Sequence, residues 1–370
     1  MQYRKLPHGT ERFSVIGMGM GSIHEQNSEE EIEQAVRLAI DHGINYFDMA
    51  APSMKPYIAY AHAFEGRRSQ VYLQMHFGTT YDANGKYGWT RDVDQIRETF
   101  SEQIKILHTD YTDMGYAHCV DELDDCQKIM SGGMWDYMRG LKKDGIIRHL
   151  GISSHTPEIV RRFLDTGSID MIMFSIDPAY GCSIGKYGIG SASDREQLYH
   201  ECEEAGVGIA VMKMFSGGQL LNEKTSPFRQ ALTENQCIQY ALDQPGVLTV
   251  LPGVRNQEDL KKVLAYLDAS ETDRDYSIIS SFTPQDAEGA CVYCNHCQPC
   301  PMGLDVGLIN KYYDLACSGD EMARGHYEKL SLKADACVQC GHCEAQCPFH
   351  VKQETRMKEI AQYFQRRNVQ

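Results

Sequence analysis

From Phe13 to about residue 270, short β-rich apolar runs alternate with longer stretches whose apolar positions recur at helical spacing. This is the pattern of repeated βα units around a parallel sheet. Eight strand candidates stand out: FSVIGMG from Phe13, NYFDMA from Asn45, VYLQMHF from Val71, YTDMGYAH from Tyr111, IRHLGIS from Ile147, MIMFSID from Met171, GIAVMKM from Gly208 and VLTVLPG from Val247. A helical stretch follows each. The helix after Ser28 carries Glu31 in capping-box position and Ile32, Val36 and Ala39 on one face, as expected of a surface helix. Eight such units suit a closed (β/α)8 TIM barrel better than an open doubly wound sheet, and they place an active site at the C-terminal ends of the strands. After Leu267 the acidic run DASETDRDY reads as a linker, which divides the chain into a barrel of residues 1–275 and a small, mainly α-helical unit of residues 276–370.

Length agrees, since 370 residues accommodate one barrel of roughly 250 residues and a small second unit. The formal net charge of -15 argues against a nucleic-acid or anionic-membrane surface, either of which needs clustered Lys and Arg. No apolar stretch approaches the roughly 18 residues of a spanning helix, and the opening MQYRKLPHGTERF lacks the apolar centre of a signal peptide, so a cytoplasmic location is expected.

Cysteine usage changes the picture most, because nine of the fourteen cysteines lie between Cys291 and Cys347. The second run, Cys337, Cys340, Cys343 and Cys347 followed by Pro348, has the C-x2-C-x2-C-x3-C-P spacing of bacterial ferredoxins. The first run, Cys291, Cys294, Cys297 and Cys300 before Pro301, is one residue shorter at its last step. Three cysteines so spaced can wrap one face of a cubane while the fourth reaches the other cluster. The runs therefore predict two 4Fe-4S clusters, one on Cys291, Cys294, Cys297 and Cys347, the other on Cys337, Cys340, Cys343 and Cys300. Structural zinc would show two separated C-x2-C pairs, and disulfides would require an oxidising compartment. Cys317 fits neither run and is expected as a buried small side chain, while His296 and His342 are expected only to flank the clusters.

At the barrel, Asp48, His76 and His118 end three successive strands and should converge at the rim. The run Gly17, Gly19, Gly21 lacks the helix and third glycine of a dinucleotide fingerprint and reads as a turn. Met171, Met173, Met212 and Met214 read as barrel filling, with a soft pocket lining as the other reading.

The segments Asn45 to Asp48, Tyr111 to His118, Gly145 to Ser154, Ser216 to Leu220 and Leu251 to Gly253, in this order, resemble the aldo/keto reductases over about residues 1–270. The whole chain resembles those members that carry a C-terminal ferredoxin-type domain. The resemblance implies a NADPH-dependent carbonyl reductase whose site combines Asp, Tyr, Lys and His, the Tyr protonating a developing alkoxide. Asp48 and His118 match, with His118 orienting the carbonyl. His76 stands where Lys is usual, and Ser53 stands where the Tyr is expected, leaving Tyr57 as the candidate. For NADP(H), Gly217 and Gly218 suit close pyrophosphate approach, Arg255 suits a phosphate, and Lys213 is a phosphate or substrate candidate. Ser154 replaces the family's Asn, Met173 its Gln, and Lys262 and Val263 its Glu-Asn pair.

These features predict an iron-sulfur oxidoreductase acting on a small carbonyl or alcohol at the barrel mouth, with electrons passing through the clusters and, where it binds, NAD(P)H. No flavin motif is visible. The expected partners are a small-molecule substrate and a ferredoxin or other redox protein. Two alternatives remain: a metal-dependent lyase or isomerase using Asp48, His76 and His118 as a two-His, one-carboxylate site, and a non-enzymatic electron-transfer subunit.

Overall fold

The computed structural model describes residues 1–370 apart from 24–26, 83, 86, 182–188, 229, 282–288, 290, 292, 294–296, 318, 321, 348 and 367–370. Its strands are β1 (Tyr3–Lys5), β2 (Arg12–Ser14), β3 (Met18–Gly19), β4 (Tyr46–Asp48), β5 (Tyr72–Phe77), β6 (Thr79–Tyr81), β7 (Tyr87–Trp89), β8 (Thr112–Ala117), β9 (Ile147–Ser154), β10 (Met171–Ser175), β11 (Gly208–Met212) and β12 (Val247–Val250). Eight of them, in the order β12-β11-β10-β9-β8-β5-β4-β3, form a parallel (β/α)8-like sheet. An isolated parallel bridge between Ile16 and Val250 joins its two ends.

The first strand candidate is split. Arg12–Ser14 pairs antiparallel with Tyr3–Lys5, and only Met18–Gly19 pairs with β4. Between them the backbone passes very close to its neighbours, since a Cβ on Gly17 would lie 2.9 Å from the Tyr46 carbonyl oxygen. The β1-β2 hairpin closes the end of the barrel away from the strand C-termini: Arg4 donates to the Val247 carbonyl at the start of β12, and Leu6 and Phe13 join Tyr46, Met114, Met171 and Leu248 in the barrel interior. The helix after Ser28 has the expected capping box and buries Ile32, Val36 and Ala39.

A short antiparallel hairpin, β6-β7, extends from the end of β5 at the barrel mouth. Beyond residue 276 the described residues contain helices and no strand, with Val306–Cys317, Ala323–Glu328, His342–Ala345 and Gln353–Arg366 as the helices that matter below. Leu304, Leu308, Ile309, Tyr312, Met357 and Ile360 form an apolar cluster in this part, which Ile189 of the barrel joins. The acidic run expected as a linker is instead structured. Ser270 caps the turn Glu271–Arg274 with Asp273, and Gln236 and Asp243 of a barrel helix bond the Asp275 carbonyl and the Tyr276 hydroxyl. Its polar side chains serve as caps and docking groups, which composition alone cannot separate from a solvated linker. Among the described residues, no helix is long and apolar enough to cross a membrane.

Candidate active site

The C-terminal ends of the strands open into a cavity of about 570 Å³. Strand alternation and parallel register bring Asp48 of β4, Gln74 and His76 of β5, and His118 just after β8 to one side of it. His76 Nε2 lies 2.7 Å from Asp48 Oδ1, and Gln74 donates to the same oxygen at 2.9 Å. The 2.8 Å approach of Gln74 Nε2 to His76 Nε2 is that of two donors meeting at one acceptor. His118 Nδ1 faces His76 Nδ1 at 2.9 Å. The other His118 nitrogen meets the Tyr87 hydroxyl at 3.0 Å, and that hydroxyl lies 3.0 Å from Nε2 of His326. All three histidines are buried. Burial, with His76 and His326 close by, holds His118 well below the usual histidine range; burial, with Lys329 near, pulls His326 down to about 3. Both rings are therefore neutral. Gly19 permits the close approach of β3 to this array, since a Cβ there would meet Asp48 Oδ2 at 3.3 Å.

The convergence expected of Asp48, His76 and His118 is thus real, but its form is a linear chain of hydrogen bonds. A three-ligand metal site needs lone pairs aimed at one point; here each ring uses opposite edges to contact successive neighbours. The geometry does not fit the metal-dependent alternative.

Tyr57 is corrected. Its hydroxyl donates to the Met49 carbonyl and accepts from Gln103 in the core, away from the cavity. It lies within the helix Lys55–Phe64, whose inward face is packed, so the loop rearrangement needed to bring it to the rim is absent. Ser154 also turns away: Ser153 and His155 line the cavity, while the Ser154 hydroxyl donates to Asp121 at 3.2 Å. Gly217 and Gly218 line the cavity with φ of 64° and 89°, the left-handed region that glycine adopts readily. Lys213 and Arg255 line it too, but each is engaged, Lys213 with Asp320 and Arg255 with Asp259 at 2.7 Å. Met173, Met212 and Met214 form part of the lining, whereas Met171 fills the barrel.

The residues that sequence reasoning missed come chiefly from the C-terminal part, which covers the mouth with Leu315, Asp320, Met322 and His326. Polar clamps hold it there. Tyr312 donates to Asp121 at 2.9 Å, Lys311 pairs with the same carboxylate at 3.4 Å, and Lys329 pairs with Asp125 at 3.3 Å. Burial pulls the Lys311 ammonium down to about 8 despite Asp121. Asp121 also holds His155 through Nδ1 at 3.0 Å. Cys119, Asp121 and His155 stand within reach of one ion, but Asp121 is already consumed by these donors, so the group reads as an anchor. No local sequence signal marks His326 or Tyr87; only the fold brings them to His118.

The cysteines cross between runs. Cys300 of the first run lines one small recess with Cys337, Cys340 and Cys343 of the second. Burial, then the neighbouring Cys337 and Cys300, push the Cys343 thiol up to about 11. Cys291 shares a second cluster with Tyr293, Val351 and Cys347, and burial pushes its thiol up to about 12. Thiolates in such places need a bound cationic group, and four cysteines around one recess are a donor set suited to an iron-sulfur cluster. Cys297 packs in the C-terminal apolar cluster. Cys294 and His296 lie outside the described residues. His342 borders the first recess, as expected of a flanking residue. Cys317 is corrected: it is exposed at the end of its helix.

The model of the aldo/keto reductase family matches residues 15–236. The chain belongs to the aldo/keto reductase family. It is 24% identical over 309 residues to the uncharacterized oxidoreductase YqkF of Bacillus subtilis, covering 77% of this chain and 98% of that protein. Among solved structures it is similar to the aldo-keto reductase AKR11C1 from Bacillus halodurans in its holo form, with a TM-score of 0.61, 21% identity, and coverage of 76% of this chain and 95% of that one. An aldo/keto reductase from Brucella melitensis is similar with a TM-score of 0.53, 17% identity, and coverage of 75% of this chain and 98% of that one. Membership of this family makes the chain an aldo/keto reductase-type oxidoreductase and explains the (β/α)8-like barrel.

Proposed function

We propose that this aldo/keto reductase-type oxidoreductase holds two 4Fe-4S clusters in a C-terminal domain of residues 276–370 and reduces or oxidises a small carbonyl or alcohol at the mouth of a barrel domain of residues 1–275. The observation that carries the cluster reading is the meeting of Cys300 with Cys337, Cys340 and Cys343, the crossed pairing of a two-cluster ferredoxin. Cys291 beside Cys347 is its counterpart. Zinc is disfavoured by the contiguous spacing of the runs, and a purely electron-carrying role by a cavity of about 570 Å³ with buried polar groups on its wall.

NADP(H) is the family's usual hydride source. Gly217, Gly218, Lys213 and Arg255 would hold its phosphates, with Asp320 and Asp259 yielding their cations on binding. When bound, the nicotinamide exchanges a hydride and the clusters exchange single electrons, so a ferredoxin-type protein is the expected redox partner. The chain's own residues orient the substrate oxygen beside Asp48 and His118, and the C-terminal part excludes water from the mouth.

The test is anaerobic reconstitution with iron and sulfide analysis, followed by titration with NADPH and NADH under visible spectroscopy. The reading requires about eight iron and eight sulfide per chain, about half in Cys300→Ser and in Cys347→Ser, with the two variants losing different clusters by electron paramagnetic resonance. Zinc in place of iron, or identical spectra for the two variants, would contradict it. Bleaching by either nucleotide supports the nicotinamide link; reduction by dithionite alone removes it.

A further inference from the structure

Among the described residues seven large apolar side chains are exposed, and five of them, Leu123, Met130, Met302, Leu332 and Val338, line up in one stripe. Met302 and Val338 flank the recess lined by Cys300, Cys337, Cys340 and Cys343. Leu332 stands beside them, its Cδ1 3.4 Å from where a Cβ on Gly303 would lie. From there the stripe crosses to the barrel. Ser331 meets Glu122 at 3.4 Å, and the helix that follows Glu122, Leu123–Ser131, exposes Leu123 and Met130 two turns apart on one face. Of the two sets of cysteines, the one in this recess reaches the surface: Cys340 is exposed, whereas Cys291 and Cys297 are buried. The other set backs onto the barrel, since Phe349 packs both on Cys291 and Cys347 and on the barrel core. In a chain of net charge -15, residues 299–304 and 337–341 around the recess carry no charge. Contiguous exposed apolar side chains of this kind mark an interaction surface.

We propose that this stripe is the docking surface of a small one-electron carrier protein, whose redox centre lies under a weakly charged apolar face and meets the chain at the Cys340 end of the recess. The inference rests on the cluster reading above. Size decides between occupants. A stable interface takes about 20–30 residues a side, far more than this stripe supplies, whereas transient redox encounters bury less. A second copy of the chain is disfavoured further, because two molecules of net charge -15 repel one another as they approach. A carrier must also leave after each exchange, which a short apolar contact allows. The exposure of Cys340 removes any protein layer between the carrier and the recess. In the reducing direction each encounter oxidises the carrier by one electron and reduces the chain by one. Two encounters, with two protons from water, balance the conversion of one carbonyl to an alcohol. Because Leu123 and Met130 belong to the barrel, the surface is complete only while the C-terminal part is seated on it.

The test uses the full-length, cluster-loaded protein and a bacterial two-cluster ferredoxin as the probe. Titration calorimetry with both proteins oxidised, so that no electron moves, should show Kd raised about ten-fold by Leu332→Gln with Val338→Gln. Leu123→Gln with Met130→Gln, remote from the cysteines, should do the same, and Ile58→Gln, similarly exposed on the helix Lys55–Phe64, should change nothing. In stopped flow with dithionite-reduced ferredoxin, both pairs should lower the second-order rate about ten-fold and leave the rate at saturation within about two-fold of wild type. That second-order rate should hold or rise between about 50 and about 500 mM NaCl, since apolar contact is not screened. A steep fall with salt would place the carrier on a charged face and overturn the proposal. So would no binding by the wild type, or wild-type Kd in both pairs at normal iron content. A dimer in sedimentation velocity that Leu332→Gln with Val338→Gln dissolves would overturn it in favour of a second copy. Iron analysis keeps the two readings apart. A chain that takes up no iron ends the cluster reading, whereas about eight iron per chain without ferredoxin binding ends the docking surface alone.

Discussion

At the scale of single residues, identity of side chain and its partner decide the chemistry. Asp48, His76 and His118 were legible because each ends a strand and strand ends gather at one rim. Tyr57 was not, because its outcome depends on a helix of ten residues whose packed face holds the ring. The same partner logic acts far from the cavity at His149. Burial disfavours its imidazolium, but Glu11 at 3.1 Å and Asp170 at 3.6 Å outweigh this and raise its pKa above the ordinary 6.5. A raised folded value means that the folded state binds the proton more tightly than the unfolded one. The stabilisation is complete below about 6.5 and is lost as pH rises through the folded value. Urea midpoints measured from pH 5 to 9 should therefore include a fall that His149→Gln flattens; a variant with an unchanged pH slope would refute the assignment.

At the scale of elements, eight strand candidates all correspond to strands, since period and length are local properties. The split of the first candidate was hidden, because it depends on the closeness of β4 and β12 to Gly17. There a Cβ would meet the Tyr46 carbonyl oxygen and Leu251 Cδ2, both at 2.9 Å. Gly17→Ala should destabilise the barrel by about 1–3 kcal/mol, as an overpacked site does, read from the denaturation midpoint. Ser28→Ala removes a capping box and should cost about 1 kcal/mol in the same assay. A loss for Ser28→Ala with none for Gly17→Ala would show that β3 has room to shift. The acidic run after Leu267 is the converse case, where the same polar residues that mark a linker are the ones that cap and dock a turn.

At the scale of the whole molecule, buried charges help to join the C-terminal part to the barrel. Lys311 and Asp121 are both fully buried, and Tyr312 and His155 satisfy the same carboxylate. Removing one member of such a pair leaves an uncompensated charge. Lys311→Met should therefore weaken the docking by about 3–5 kcal/mol, seen as faster hydrogen exchange in the helix Val306–Cys317 while the barrel strands stay protected. Unchanged exchange would mean that the remaining clamps, Lys329 with Asp125 and Lys213 with Asp320, suffice.

The sequence by itself determined the strand and helix periods, the family's barrel, the capped first helix and the cysteine spacing, because each is a matter of neighbours a few residues apart. Tertiary structure alone decided which face of a helix Tyr57 occupies, that Ser154 turns to Asp121, that Cys300 joins the second cysteine run, and that His326 meets Tyr87 and His118 across 208 residues of chain. Those are contacts between distant segments, and their geometry is set by how the C-terminal part packs over the barrel mouth, which no local pattern encodes.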